Sequence, residues 1–154
     1  MLTSRRLILA AAVSLLGTII LVKPAVAVDR IVTDVKDGVS VSRVPTSAKY
    51  GTYVVATTNR KVCNFRAING IVLDGDYIYV KDTCPDGLTA LGIFQYTVGT
   101  TGYRLRCRNP HGAGTVARCN FNWPEKGTKA FYAGFQNGRN GTITQGNATH
   151  FVGG

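Results

Sequence analysis

The chain has 154 residues, with 18 Lys and Arg against 8 Asp and Glu, and a formal net charge of +10. Eighteen glycines, seven tyrosines and six phenylalanines stand beside one methionine and a single glutamate, Glu125. That composition excludes a helix bundle and favours short strands joined by tight turns. Behind an export leader about 127 residues remain, which is room for one domain with its own core.

The leader is read from the first residues. Arg5 and Arg6 precede an uncharged apolar run, Leu7 to Val22, and Ala25-Val26-Ala27 then places small residues at the two positions a signal peptidase reads. The expectation is a signal peptide over 1–27, a cut after Ala27, and a single secreted β domain over 28–154. Its product is secreted or periplasmic, monomeric, and free of the membrane once the leader is gone.

Strand patterns fill the rest: Ile31 to Val35, Val39 to Val44, Thr52 to Thr57, Val62 to Ile68, Tyr77 to Lys81, Leu91 to Val98, Tyr103 to Arg108, Val116 to Trp123, Ala130 to Gln136, Thr142 to Gln145 and Thr149 to Val152. Between them lie Asp37-Gly38, Asn69-Gly70, Asp74-Gly75, Asp86-Gly87, Gly99 to Gly102, Asn137-Gly138 and Asn140-Gly141, residues that accept the positive φ of hairpin turns. This spacing predicts an all-β fold, a small antiparallel β-sandwich or barrel. Leu91 to Val98 is apolar on both faces and so reads as a central strand.

Successive side chains on a strand point to opposite faces. Tyr103, Leu105 and Cys107 therefore share one face and Arg104, Arg106 and Arg108 the other, which is expected to be wet. Cys119, Phe121 and Trp123 alternate in the same way with Arg118 and Asn120. All four cysteines fall on the apolar side of their segments, which predicts two disulfides, Cys63 with Cys84 and Cys107 with Cys119, each contributing about 3 kcal/mol by loop closure. No cysteine pair has the short spacing a zinc knot needs. No metal and no cofactor are expected.

Charge is uneven along the chain. Losing Arg5, Arg6 and Lys23 with the leader takes the net charge from +10 to +7. Val28 to Ala90 carries eight basic and seven acidic residues, while the remainder carries seven basic and one acidic. Arginines at every second strand position repeat at roughly 7 Å, near the spacing of charges in an extended polyanion. The expected function is a secreted binding module for acidic or polar extracellular glycans, met by Arg104, Arg106, Arg108 and Arg118, the last placed near the others across a Cys107 to Cys119 hairpin. Tyr132 would offer a ring face to a sugar. One alternative is a protein-directed inhibitor or interaction domain with an unidentified extracellular protein partner. Another is a small secreted ribonuclease with His111 and His150 as the acid and base. Serine, thiol and nucleotide-binding signatures are missing from the sequence, and enzymatic activity is the less favoured expectation.

Overall fold

The computed structural model describes residues 27–54 and 67–153. Every regular element among them is a strand: β1 Arg30–Asp37, β2 Val39–Val41, β3 Lys49–Val54, β4 Ala67–Val72, β5 Tyr77–Asp82, β6 Thr89–Val98, β7 Thr101–Asn109, β8 Val116–Asn120, β9 Thr128–Gln136, β10 Ile143–Gln145 and β11 Thr149–Val152. A front sheet runs β1-β7-β6-β9-β10, with β11 also on β9. A back sheet runs β2-β8-β5-β4-β3. All neighbours are antiparallel except β1 and β7, which are parallel. As expected from its doubly apolar pattern, β6 is central, flanked by β7 and β9.

Alternate residues of both sheets meet in one core. Ala90, Phe94, Leu105, Cys107, Phe131 and Ala133 come from the front sheet, and Ala67, Ile71, Ile78, Val80 and Cys119 from the back. Trp123 packs on Phe94 with ring centroids 4.4 Å apart. The sheets approach closely where Gly92 faces Ile78 and Val80: a Cβ at residue 92 would lie 2.6 Å from Ile78 Cγ2 and 3.0 Å from Val80 Cγ2. Asn69 spans the same gap, its buried amide donating to Leu91 O at 2.6 Å.

Two predicted hairpin turns are not hairpin turns in the structure. Asn69-Gly70 lies within β4 because the Asn69 amide has a buried acceptor and the 42–48 loop crosses over Gly70, whose added Cβ would stand 3.1 Å from Ala48 Cβ. Asp37-Gly38 is where the chain leaves the front sheet as β1 and enters the back sheet as β2. A Cβ on Gly38 would meet Ala117 Cβ at 2.8 Å, so close passage over β8 selects glycine. Positive φ does occur at Gly75 and Asp76, Gly87, Gly99 and Gly138, as their turn positions require.

Cys107 and Cys119 form the predicted disulfide. Its strands belong to different sheets, so it staples β7 to β8 across the sandwich and closes no in-sheet hairpin. The predicted Cys63–Cys84 pairing involves Cys63, which lies outside the described residues; Cys84 is buried and is not a free thiol. At the far end Lys129 is buried, and its Nζ donates to Glu125 O at 3.0 Å, Lys126 O at 3.5 Å and Gly153 O at 2.8 Å. Those three bonds tie the turn before β9 to the end of β11.

Asp76 stands beside this cluster, with Oδ2 accepting from the Trp123 N–H at 3.1 Å. Burial raises its pKa above the ordinary 3.8, with the Trp123 N–H opposing and Glu125 adding to the rise. Its carboxylate is thus less favourable folded than unfolded, and it subtracts stability above the raised folded pKa. Asp76→Asn keeps an acceptor for Trp123 and tolerates the φ of 54°. The variant is expected to melt higher than the parent at pH 7, and the gain to vanish below pH 3.8, where Asp76 is protonated in both states. Thermal melts across pH check this. Gly92→Ala, by contrast, overpacks the narrowest part of the core and should cost about 1–3 kcal/mol in denaturant titration.

Candidate functional site

The outer face of the front sheet is read from its cross-strand register. Arg108 lies between Leu91 of β6 and Asp37 of β1; Arg106 between Ile93 and Val35; Arg104 between Gln95 and Thr33; Gly102 between Thr97 and Ile31. On the other side of β6, Gly134 pairs with Leu91, Tyr132 with Ile93 and Ala130 with Gln95, and His150 of β11 pairs with Ala130. Arg104, Arg106, Arg108, Tyr132 and His150 therefore share one face.

That face is not open to water as expected. Leu91 and Ile93 point outward yet are fully buried, and the register lays the aliphatic stems of Arg108 and Arg106 beside them, charged heads outward. A thin second apolar layer lies over the front sheet. Its consequence is that the three arginines differ. Arg108 retains 11% side-chain exposure and is ion-paired, Nη2 lying 2.7 Å from Asp37 Oδ1 and Nε donating to the same oxygen at 2.8 Å. Arg139 reaches Asp37 Oδ2 at 2.6 Å from the 137–142 loop. Asp37 thus neutralises the lower end of the ladder and pins that loop.

Arg104 and Arg106 have no carboxylate partner among the described residues. With the Gln95 amide oxygen turned toward it, Arg104 donates from Nε at 2.8 Å and Nη2 at 3.2 Å, leaving the rest of its guanidinium free of protein bonds. Arg106 is half-buried, its Nε is buried with no acceptor, and burial followed by repulsion from Arg104 lowers its pKa. Two adjacent guanidiniums without a counter-charge make a positive locus in a partly desolvated setting, where an anion is bound more strongly than in bulk water.

Beside this locus lies a groove of about 590 Å³ that runs across the strands at the β6–β7 turn end. Gln95, Thr97 and Arg104 stand at its middle, Ala130 and His150 toward one end, and Ile31 and Val28 toward the other. Small residues, Gly102, Gly99 and Ala130, form its floor. Across the five strands from β11 to β1 the groove spans roughly 19 Å at 4.8 Å per strand. Its chemistry is the Arg104 cation, a Lys129 whose Nζ is already held by three carbonyls, amide and hydroxyl groups, an imidazole and an apolar rim. That set suits a polar, ring-bearing, negatively charged ligand.

Arg118 does not belong to this site. It lies on β8, outward on the back sheet, with its guanidinium 4.8 Å from the Tyr77 ring centroid. Because β7 and β8 belong to different sheets, their outward side chains face opposite ways, which corrects the grouping expected from a hairpin. Tyr77 and Tyr79 face outward on the same back sheet, as their parity predicts.

The two histidines do not meet either. His111 follows β7 beyond Asn109, its backbone N–H donating to Asn109 Oδ1 at 3.1 Å and its Nε2 donating to Gly38 O at 2.9 Å. Asn109 pairs with Ala90, whereas His150 sits level with Gln95, five residues along β6 and three strands from β7. Strand geometry sets the imidazoles roughly 20 Å apart, so they form no acid–base pair. Among the described residues no group of three His, Cys, Asp or Glu is placed to hold a metal ion.

The groove itself was missed by sequence reasoning. Ile31, Thr97, Gly102 and Ala130 carry no chemical signal, and only the registers of β1 on β7, β7 on β6 and β6 on β9 bring them together around Arg104. Comparison with protein-family models, curated proteins and solved structures finds no match to this chain.

The difference between the arginines is testable at Asp37. Asp37→Asn strips Arg108 and Arg139 of their shared carboxylate; it is expected to lower stability by about 1–2 kcal/mol. The same change adds a freed cation to the face, so retention on immobilised heparin should strengthen while the melting temperature drops.

Proposed function

We propose that this is an exported binding module whose front-sheet groove takes acidic extracellular glycans, with Arg104 and Arg106 contacting a carboxylate or sulfate and Gln95, Thr97 and Tyr132 meeting the sugar ring and its hydroxyls. The observation that carries this reading is the pair of guanidiniums without carboxylate partners among the described residues, Arg104 lining the groove and Arg106 next to it on β7, beside an arginine that the fold does neutralise. Arg108 serves chiefly to hold β1 and the 137–142 loop in place. The chemistry is binding, and no reaction is assigned.

A second reading, docking of an extracellular protein, is favoured by β1. Among the described residues it is an edge strand of the front sheet, eight residues long and exposed, with Ile31 59% and Val35 43% accessible, the kind of edge to which another strand adds. Charged neighbours Asp34, Lys36 and Asp37 oppose indiscriminate pairing.

The glycan reading is tested by titrating a heparin-derived sulfated hexasaccharide at increasing salt. Arg104→Ala and Arg106→Ala are each expected to weaken binding about tenfold, the scale of a lost charge-assisted hydrogen bond. Each should also flatten the salt dependence by roughly one ion contact. Lys81→Ala, on the back sheet, should leave both unchanged. Equal losses from Lys81→Ala or Arg118→Ala would show binding by net charge alone and remove the groove from the account. Val35→Lys, which lies outside the groove lining but adds a cation beside Arg106, would abolish capture of a partner protein without weakening the hexasaccharide if the second reading holds.

A further inference from the structure

The groove's outer rim is made by the first residues of the domain. The Asp29 N–H donates to Thr100 O at 2.9 Å, which fixes the chain against the β6–β7 turn before β1 begins. Val28 then lies over Gly102: a Cβ on that glycine would stand 3.1 Å from Val28 Cγ1. Val28 and Arg104 line the same groove. In the uncut chain the Val28 nitrogen is a neutral amide joined to Ala27. A cut after Ala27 turns it into an α-ammonium group at that rim.

We infer that the amino terminus created by leader removal is part of the anion site, so that the exported, processed protein binds an acidic sugar better than its precursor. The inference rests on the glycan reading above and on the cut after Ala27. Its physical content is one added charge at a place the fold fixes. An α-amino group titrates near 7.7–8.0, whereas arginine stays charged throughout. The new terminus therefore gives the site a pH dependence that its guanidiniums lack.

The charged and titratable groups around this point come from four strands besides the terminus itself. Asp29 and Arg30 follow it directly, β7 gives Tyr103 and Arg104, and β6 gives Tyr96. From β9 comes Lys129, whose Nζ is tied to three carbonyls, and from β11 His150. Of these, an imidazole is the type that also changes charge between pH 5 and 8. Asp29 is the one carboxylate next to the terminus, and it moderates the new charge without removing it.

The test compares the secreted protein beginning at Val28, the same protein selectively acetylated at its α-amine, and a form retaining Ala25-Val26-Ala27. All carry His150→Gln so that the imidazole does not contribute. The probe is the sulfated hexasaccharide at low salt, from pH 6 to 9.5. The Val28 form is expected to lose about threefold in affinity between pH 7 and 9, the scale of one exposed charge pair, with a midpoint near 8. The acetylated form should be flat with pH and weak throughout. The extended form, whose amine is displaced by roughly 10 Å, should follow it. Identical affinity and pH profiles for all three forms overturn the inference. Arg104→Ala in the same assay separates the two levels: if it weakens binding while acetylation does not, the groove stands and the terminus is excluded from it. If Arg104→Ala is also without effect, the glycan reading itself falls. Amino-terminal sequencing of the exported protein that starts at a residue other than Val28 also overturns the inference.

Discussion

The passage of one strand from the front sheet to the back at Gly38 organises this molecule. β1 lies parallel to β7 and β2 antiparallel to β8, so a single run of chain closes one side of the sandwich. The Cys107–Cys119 bridge joins β7 and β8 on that side. Lys36 adds to the closure: its Nζ donates to Asn120 O at 2.7 Å and lies 4.7 Å from the Phe121 ring centroid. The Gly38 N–H donates to Arg108 O at 2.9 Å, and this bond sets the register of β1 at its last residue. That register decides the electrostatics of the arginine ladder. It places Asp37 opposite Arg108, Val35 opposite Arg106 and Thr33 opposite Arg104. A slip of one residue would turn every β1 side chain to the other face, removing Asp37 from Arg108. A slip of two would move the carboxylate up the ladder to Arg106. Which arginine is structural and which is free to bind thus follows from where the strand changes sheets.

The second constraint is the narrow gap between the sheets. Gly92, Ala90, Ala133, Ala117 and Ala67 are small inward residues, and they let the sheets approach while Phe94, Phe131, Trp123 and Phe151 fill the wider end near the 121–127 loop. Buried Lys129 and half-buried Asp76 lie at that end, and their cost is offset by carbonyl and N–H partners. The groove lies on the outer surface of the same end, above strands whose inward side chains pack into the aromatic core. A surface backed in this way would lower the ordering cost of binding the proposed ligand.

What the sequence made legible was everything governed by a period of two. Leu105 and Cys107 inward with Arg104, Arg106 and Arg108 outward, the central position of β6, the outward Tyr77 and Tyr132, and the Cys107–Cys119 bridge all follow from alternation plus proximity. What it hid depends on long-range pairing. Nothing in Asp37-Gly38 distinguishes a hairpin turn from a sheet-crossing point, because glycine serves both, and only Ala117 on a strand some eighty residues away makes the difference. Asn69-Gly70 misled for a related reason: the pair is a strong turn signal until a buried acceptor, Leu91 O, claims the amide. Arg118 reads as part of the ladder because the eleven residues between the cysteines resemble a hairpin in length, although the segment spans two layers. The separation of His111 from His150 needed the full β7-β6-β9-β11 path.

On the proposed reading, the outer face of the front sheet performs two tasks with the same side chains, and this limits how far its charge can be altered. Arg106 covers Ile93 with its stem, yet its buried Nε has no acceptor and its charge is disfavoured by burial. A protein selected for stability alone would meet that guanidinium with an acid at residue 35, the adjacent outward position on β1, as Asp37 meets Arg108. Valine stands there. The fold therefore holds a half-buried guanidinium with its Nε unpaired beside a groove, at a cost it avoids two residues further along, and an incoming anion would offset part of that cost on binding. Local imbalance of this kind, set next to a balanced copy of the same interaction, separates a binding position from a structural one more sharply than net charge does. The formal +10 describes the chain as a whole; on the proposed reading, the contrast between Arg106 and Arg108 marks where on the molecule an anion would be held.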